Sequence, residues 1–388
     1  MHRALASLQT NLARAAVRGA SLADVLTTAC TGLRAGGVPV ARASLSTTTV
    51  HPLVNAHGVV WRPADGAVGS NFQHTGLGRD AWRTSPLRHM LDHRLDTMRQ
   101  RLDGDLPDAF PVFAEFRADG MTDWFACLQP FAWSARHLAL GDLGMILSLA
   151  TDAPGGFSDA DLRLIEDLSL PVAAAARARM VQDLAHGVLS AYLGAGPAEQ
   201  VLSGAITRGS VAEIPAVLMM ADLRGFTARG DAGSIADLVS LINATFESAA
   251  RPIEAGGGQI LKFMGDGFLA VFLTEGRDEA DAVDAALVAA AQIQHTLPAG
   301  VELDVAVHIG DVHYGNIGAA DRLDFTVIGS AVNEVARLEG LCSVLGRAVL
   351  VSGAAASRIG GRGLVSLGLH ALRGLGGTRE VFTLAHPP

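Results

Sequence analysis

One aspartate in the second half of the sequence closes a run of apolar residues. Asp222 follows the six apolar residues 216–221, and a glycine-containing turn comes after it. Such a run is typical of a strand buried on both faces, and a carboxylate at its end is well placed to hold Mg²⁺. Backbone N–H groups at the beginning of a following helix can bind phosphates. Here those groups belong to Gly225, Phe226 and Thr227. Asp222 could equally be an ordinary residue at the end of a strand.

A second aspartate and a lysine belong to one predicted hairpin. Asp266 forms an Asp-Gly pair between the apolar stretches 259–264 and 268–272, which predicts a β-hairpin. Lys262 lies within the first strand of that hairpin. Asp266 could be no more than a favourable turn residue, and Lys262 could be an edge-strand lysine that deters aggregation.

An amide and a guanidinium share one face of a predicted helix further along the chain. Asn333 and Arg337 are four residues apart in the segment 321–339, a spacing that places both side chains on one face of a helix. Both could be ordinary surface residues. Each of these segments alone is compatible with a purely structural role.

The elements that must position these residues alternate in a simple order. We predict a strand at 216–222, a helix at 234–251, a hairpin at 259–272, a helix at 278–296 and a strand at 303–309. Together these elements indicate an α+β domain.

The first half of the chain has a different composition. All four tryptophans lie within the first 135 residues, which indicates two domains. We predict a helix at 4–33, strands near 59–62, 124–128 and 144–149, and an exit helix capped by Ser158 with Asp161. This pattern resembles a GAF-type sensor domain. The predicted boundaries are 1–180 for the sensor, 181–210 for a signalling helix and linker, and 211–388 for the second domain.

Composition excludes several classes of protein. The net charge of −9 argues against nucleic acid as a partner. The three cysteines are far apart, so neither a zinc site nor a disulfide framework is expected. No run of 18 apolar residues occurs, so no membrane span is expected, and we predict a cytoplasmic protein. Five histidines in the first half could hold haem or a metal, although solvated loop histidines are the simpler interpretation.

In their order and spacing, the three segments of the second half resemble the class III adenylate/guanylate cyclase family over about 211–384. The resemblance implies a ferredoxin-like βαββαβ catalytic domain, in which 308–318 forms a strand, a turn and a second strand. It implies that Asp222 and Asp266, with Leu223, hold two Mg²⁺ or Mn²⁺ ions per active site. It also implies that Asn333 orients the ribose and that Arg337 stabilises the transition state.

The resemblance further implies which purine is read. Lys262 and Thr326 fall where the family contacts the base. Lysine only donates hydrogen bonds and therefore suits N1 of adenine, and the threonine hydroxyl can accept from N6. The pair resembles the adenylate cyclase subgroup that includes bicarbonate-responsive members. The implied substrate is ATP, and the implied assembly is a homodimer with shared active sites, regulated by an unknown signal at the first domain.

Some positions depart from the family pattern. Asp304 stands where the family often has a basic residue, which puts a phosphate contact in doubt, and Arg373 falls where the family often has a phosphate-binding lysine. Ser330 replaces a common aspartate. Two alternatives stay open: a nucleotide-binding pseudocyclase without activity, and a diguanylate cyclase, whose hairpin motif would need a second acid at Gly267.

Overall fold

A computed structural model describes residues 2–48, 54–73, 82–104, 110–131, 144–226 and 234–385. The chain divides into two compact units, residues 1–188 and 189–388. In the described part of the chain, no helix is both long enough and apolar enough to cross a bilayer.

The first unit is built around an antiparallel sheet of six strands in the order β3-β2-β1-β6-β5-β4. Its strands are β1 (Arg42–Thr48), β2 (Val54–Arg62), β3 (Gly66–Gln73), β4 (Thr97–Arg101), β5 (Asp123–Pro130) and β6 (Gly144–Thr151). Its helices are α1 (His2–Val17), α2 (Leu22–Ala35), α3 (Pro86–His93), α4 (Pro111–Ala118) and most of α5 (Asp159–Leu193). Apolar clusters cover both faces of the sheet: α1, α2 and α5 pack on one, and α3 and α4 pack around Trp124 on the other.

The prediction of one helix over 4–33 is wrong, because the chain breaks between α1 and α2. Gly19 adopts a left-handed backbone conformation (φ 65°), which ends the first helix. Ser21 then begins the second, since its hydroxyl accepts a hydrogen bond from the backbone N–H of Asp24. The strands predicted in this half are present, each longer than predicted.

The capping box predicted at the exit helix is confirmed. The hydroxyl of Ser158 accepts the N–H of Asp161 at 3.2 Å, and the carboxylate of Asp161 accepts the N–H of Ser158 at 2.9 Å. Helix α5 then continues for 35 residues to Leu193. Gly194, with φ 89°, separates it from the short helix α6 (Ala195–Leu202).

The second unit contains the predicted ferredoxin-like core. Strand β7 (Val211–Leu223), helix α7 (Ile235–Ala255), strands β8 (Gln259–Met264) and β9 (Gly267–Leu273), helix α8 (Glu279–Thr296) and strand β10 (Leu303–Gly318) follow in βαββαβ order. The core strands lie in the order β10-β7-β9-β8, and all their pairings are antiparallel. The prediction of an α+β fold with this core is confirmed.

Additional elements complete the second unit. They are β11 (Leu323–Ile328), α9 (Ser330–Glu339), α10 (Cys342–Leu345), β12 (Val349–Ser352), α11 (Gly353–Arg358), β13 (Leu364–Ala371) and β14 (Thr378–Leu384). Helices α7 and α8 pack on the face of the sheet that presents Val217, Met219 and Ala221. Helix α9 packs on the opposite face, against Leu218 and Ala306. Since side chains alternate along a strand, Asp222 and Asp304 share the face that α9 covers.

The turn predicted within 308–318 is absent from β10, which is a single strand to Gly318. Its residues 303–315 pair continuously with β7, from Leu303 opposite Leu223 to Gly315 opposite Val211. Gly315 serves close approach and not a turn, since a Cβ there would lie 2.2 Å from the carbonyl oxygen of Ser210. The chain turns instead at 319–322, between β10 and β11.

Candidate active site

The register of three strands places Asp222 between Asp304 and the turn that carries Asp266, and we call these three aspartates the acidic row. Asp222 is the penultimate residue of β7, opposite Gly267 of β9 on one side and Asp304 of β10 on the other. Burial, followed by the charges of Asp266 and Asp304, raises the pKa of Asp222 to about 6. A carboxylate in such surroundings gains from a nearby cation.

Gly267 allows Asp266 to lie beside Asp222. A Cβ at Gly267 would lie 2.7 Å from Oδ1 of Asp222 and 2.5 Å from the carbonyl oxygen of Ala221, so a side chain does not fit. Asp266 precedes this glycine in the turn between β8 and β9, where Gly265 has a φ of 70°. The structure therefore brings together the two aspartates that were predicted to bind metal.

The donor set fits a divalent cation that takes oxygen ligands. Within the described residues, no ion pair or hydrogen bond engages the carboxylate of Asp222 or Asp266, so both can accept a cation. The side chain of Leu223 is aliphatic, so only its backbone oxygen could serve as a ligand. No group of three or more Asp, Glu, His or Cys in that part of the chain is arranged to hold a metal ion. Water and substrate oxygens would complete the coordination that Mg²⁺ requires.

Asp304 forms an ion pair with Arg224, a residue that the sequence analysis did not single out. Its buried carboxylate accepts from two nitrogens of Arg224, one of them Nε at 3.2 Å, and Arg224 also pairs with Glu302 at 2.8 Å. Burial raises the pKa of Asp304, while the hydrogen bond from Arg224 opposes that rise. Asp304 is a carboxylate and therefore does not supply the positive charge that the resemblance implied at this position. Arg224 is itself already paired with two carboxylates.

Glu339 is a further carboxylate that the sequence reasoning missed. It is the last residue of α9. The C-terminal end of this helix lies near the acidic row, because the charges of those aspartates act on Glu339. Burial, followed by the charges of Asp222, Asp304 and Asp266, raises the pKa of Glu339 to about 7. Its position two residues after Arg337 gives no sign of this proximity, which depends on how the helix packs.

The predicted phosphate-binding segment is described only in part. Gly225 occupies the turn after β7 with a φ of 71°, and residue 226 is helical. The ring of Phe226 packs against the core formed with α7 and α8. Thr227 lies outside the described residues.

Lys262 and Thr326 come from β8 and β11, which are not paired with each other in the sheet. The ammonium of Lys262 donates to Oδ2 of Asp324 at 2.6 Å, and this bond holds the pKa of Asp324 below its usual range. Asp324 and Thr326 are two residues apart on β11 and therefore share one face of that strand. The structure thus brings Lys262 to the face of β11 that carries Thr326, and it adds Asp324, which the sequence reasoning missed.

Helix α9 presents Asn333 and Arg337 outward. Both are exposed, whereas Ala331, Val335 and Leu338 are buried against the sheet. In the described ranges, no acidic side chain pairs with Arg337. Ser330 begins this helix. Arg373 is exposed in the turn between β13 and β14, and none of the contacts seen among the described residues connects it to the acidic row.

The second unit matches a known family over much of its length. Residues 212–368 match the family described as Adenylate and Guanylate cyclase catalytic domain. The prediction that the second half carries such a domain is confirmed for these residues. The roles predicted for individual residues of the site stay predictions.

Curated relatives resemble this segment. An adenylate cyclase of Anabaena cylindrica is 29% identical over 150 residues, which is 35% of this chain and 29% of that protein. An uncharacterized protein of Mycobacterium tuberculosis is 33% identical over 126 residues, which is 32% of this chain and 23% of that protein. The chain thus spans less than a third of the length of these two relatives.

Several solved structures also resemble the chain. The adenylyl cyclase CyaB from P. aeruginosa is 22% identical with a TM-score of 0.41, covering 46% of this chain and 97% of that one. A bacterial light-regulated adenylyl cyclase is 20% identical with a TM-score of 0.45, covering 62% and 82%. The guanylyl cyclase Cya2 is 24% identical with a TM-score of 0.40, covering 46% and 95%.

Proposed function

We propose that this protein is an adenylate cyclase that converts ATP to 3′,5′-cyclic AMP and pyrophosphate. The observation that carries the proposal is the juxtaposition of Asp222 and Asp266 across Gly267, within a segment that matches the cyclase catalytic domain. Within the described residues neither carboxylate has a cationic partner, and both lie where strands of the sheet end, which suits a metal-assisted attack on a phosphate.

Asp222 and Asp266 would hold two Mg²⁺ or Mn²⁺ ions, with the backbone oxygen of Leu223. When bound, such ions lower the pKa of the ribose 3′-OH and neutralise the triphosphate. Backbone N–H groups after β7, at Gly225, Phe226 and Thr227, bind phosphate oxygens in this proposal. Arg373 is a further candidate for a phosphate contact.

Residues of α9 act on the reacting centre in this proposal. Asn333 orients the ribose so that its 3′-oxygen faces the α-phosphate. Arg337 opposes the negative charge that grows on the α-phosphate and on the leaving oxygen. Its guanidinium is available for this, because no described acid engages it. By analogy with arginine fingers in phosphoryl transfer, its loss costs about 10³-fold in rate or more.

Lys262 and Thr326 select adenine in this proposal. The ammonium donates to N1 of adenine, whereas N1 of guanine carries a hydrogen and offers no acceptor. The hydroxyl of Thr326 accepts from the N6 amino group. Asp324 supports this selection, because it fixes the ammonium on the same face of β11 as Thr326.

The active enzyme is a homodimer with shared sites in this proposal. Arg337 and Asn333 point outward from α9, as they would if they served a site formed with a second copy. Phe263 and Met264, which follow Lys262 on β8, are 51% and 42% exposed. Neighbouring exposed apolar side chains of this kind are typical of a surface that a partner covers. Two copies related by a twofold axis then form two equivalent sites.

The first unit regulates the second in this proposal, as a GAF-like sensor of a small molecule or protein signal. The linking segment contacts β8, which carries Lys262, and β10, which pairs with the strand of Thr326. Gly194 and Gly196 lie against Ile260 and Gln259 of β8, and the buried side chain of Asn316 on β10 donates to the carbonyl of Ala205 at 2.6 Å. A change in the linker can therefore reach β8 directly. We place the enzyme in the cytoplasm, where ATP is available, without a nucleic-acid partner.

Turnover with ATP tests the proposal most directly. The purified chain is incubated with ATP and either Mg²⁺ or Mn²⁺, and the product is identified by mass spectrometry, with Asp222→Asn and Asp266→Asn as inactive controls. Cyclic AMP from the wild type alone supports the proposal. Nucleotide binding without product, in intact dimers across both metals and a wide pH range, would instead indicate a pseudocyclase. Cyclic diguanylate from GTP would indicate a diguanylate cyclase.

A further inference from the structure

Helix α9 carries a carboxylate on the flank between its proposed active-site residues and the face that packs on the sheet. Glu334 lies between Asn333 and Arg337 in sequence, but only 18% of its side chain is exposed, whereas Asn333 and Arg337 face outward. Its Oε1 lies 3.8 Å from Nδ1 of His308 on β10 and 3.6 Å from Nε of Arg379 on β14. This flank of the helix therefore meets polar groups from two different strands.

His308 is itself held in place from a third strand. It is 5% exposed, and its Nδ1 lies 2.9 Å from the hydroxyl oxygen of Ser352 at the end of β12. That oxygen also accepts the N–H of Ala355 at 3.2 Å, which begins helix α11, so the hydroxyl cannot swing away. Burial lowers the pKa of His308 and keeps the ring neutral at neutral pH. Its position is thus determined by the sheet and not by solvent.

The backbone of β10 and α9 approach each other closely at this point. A Cβ at Gly310 would lie 2.8 Å from the Cβ of Ala331 and 3.2 Å from Nε2 of His308. The absence of a side chain at Gly310 lets the first turn of α9 rest on the strand. Because the helix cannot move closer at this point, a contact on its flank can influence how it is rotated about its own axis.

We propose that Glu334 is a positioning residue, which sets the rotation of α9 so that Asn333 and Arg337 face the nucleotide. It lies against His308, which Ser352 holds in place, and against Arg379 of β14. The inference rests on the proposed function, since it assigns a role within cyclisation. A side-chain end lies about 6 Å from a helix axis, so a rotation of about 10° displaces it by about 1 Å. A misplacement of about 1 Å is enough to cost about 100-fold in rate.

The experiment measures kcat and KM for ATP in Glu334→Gln, with Glu247→Gln as a matched control. Glu247 is also a helical glutamate with an arginine partner, but it lies on the exposed surface of α7. We expect kcat of Glu334→Gln to fall about tenfold while KM stays within about twofold, because the contact acts through a group used in the transition state. The control should keep the wild-type kcat. A wild-type kcat in Glu334→Gln overturns the inference, and so does a rise in KM alone.

A combined variant distinguishes positioning from general destabilisation. If Glu334 acts through Asn333 and Arg337, adding Glu334→Gln to a protein that carries both Asn333→Ala and Arg337→Ala should leave the residual rate unchanged. Rates that multiply would show that Glu334 acts elsewhere and would overturn the inference. Should Glu334→Gln fail to fold, Arg379→Gln removes the same contact from the exposed end, and it should lower kcat about threefold with the same lack of additivity. A wild type that makes no cyclic AMP would refute the proposed function itself, whereas an active wild type with an unaffected Glu334→Gln would refute only the positioning role.

Discussion

The ammonium of Lys262 donates a hydrogen bond to Asp324 across β8 and β11, with 2.6 Å between Nζ and Oδ2. Both side chains are about half exposed, at 47% and 46%, so the pair contributes little to folding stability, about 0–1 kcal/mol. Its consequence is positional. One of the three ammonium hydrogens is directed to Asp324, and the other two stay available to a base that approaches the face of β11.

Lys262→Glu should weaken the use of ATP and narrow the preference for ATP over GTP. The variant replaces a pure donor with an acceptor and places a second carboxylate beside Asp324, which repels it. Loss of a charge-assisted hydrogen bond predicts a fall in kcat/KM for ATP of about 10- to 100-fold. Steady-state rates with each nucleotide measure this. Unchanged selectivity would show that Lys262 does not contact the purine.

Asp222→Ala and Arg337→Ala should each abolish nearly all activity, and mixing them should restore it. In a mixed dimer with shared sites, one site carries both changes and the other carries neither. We therefore expect up to about half the wild-type rate per heterodimer. Mixing Asp222→Ala with Asp266→Ala is the matched control, which should restore nothing because each site then lacks one metal ligand. Proven heterodimers of the first pair without activity would refute shared sites.

In the metal-free protein, ionised Asp222 should lower the free energy of unfolding, whereas a carboxylate paired with a cation raises it. Its folded pKa is about 6 against an ordinary 3.8, so its favourable contribution exists below about pH 4 and is lost as the pH rises through about 6. Without metal at about pH 7.5, Asp222→Asn should therefore be more stable than the wild type by about 1 kcal/mol, after allowance for solvent screening.

Added Mn²⁺ should reverse that order. The wild type should gain melting temperature on metal addition, and the gain should increase from about pH 5.5 to about pH 7.5 as protons cease to compete for the carboxylate. Asp222→Asn should gain little at any pH. Asp321→Asn, a change at an exposed turn, is the control and should behave like the wild type. An equal metal response in all three proteins would argue against Asp222 as a ligand.

Two truncated chains should separate the effect of the first unit from that of helix α6. A chain that begins near residue 189 keeps α6 against β8, whereas one that begins near Gly204 loses it but keeps the contacts of Asn316 with 205–210. Both should make cyclic AMP. We expect their kcat values to differ from that of the full chain, and from each other, by about fivefold or more. Identical kinetics for all three proteins, in every condition tried, would contradict a regulatory role for this segment.

Local sequence patterns were sufficient for the elements but not for the surroundings of the site. The apolar run before Asp222, the Asp-Gly pair at Asp266 and the capping box at Ser158 each depend on neighbours in the chain, and the structure has all three elements. Arg224 and Glu339 were missed, because their contacts depend on strand register and on the packing of α9. A single sequence carries little information about such long-range geometry.

The two predictions that were wrong each concern a glycine, and they show the same limit of a single sequence. Gly19 breaks a helix through its backbone conformation, and Gly315 permits close approach within a continuous strand. A glycine in a sequence signals that a side chain is unsuitable, but it does not say whether a turn or a neighbouring backbone is the reason. The two possibilities are distinguished only by the folded structure around the glycine.

The unbroken length of β10 limits how this chain can change by insertion or deletion. Asp304 near one end and Asn316 near the other have fixed registers against the same strand and its extension. Because side chains alternate with a period of two, losing one residue between them would turn every side chain on one side of the deletion to the opposite face of the sheet. His308 or Asn316 would then face the wrong layer. Homologous chains should therefore vary in length at the turn 319–322, or before β7, and keep the spacing from 304 to 316 constant.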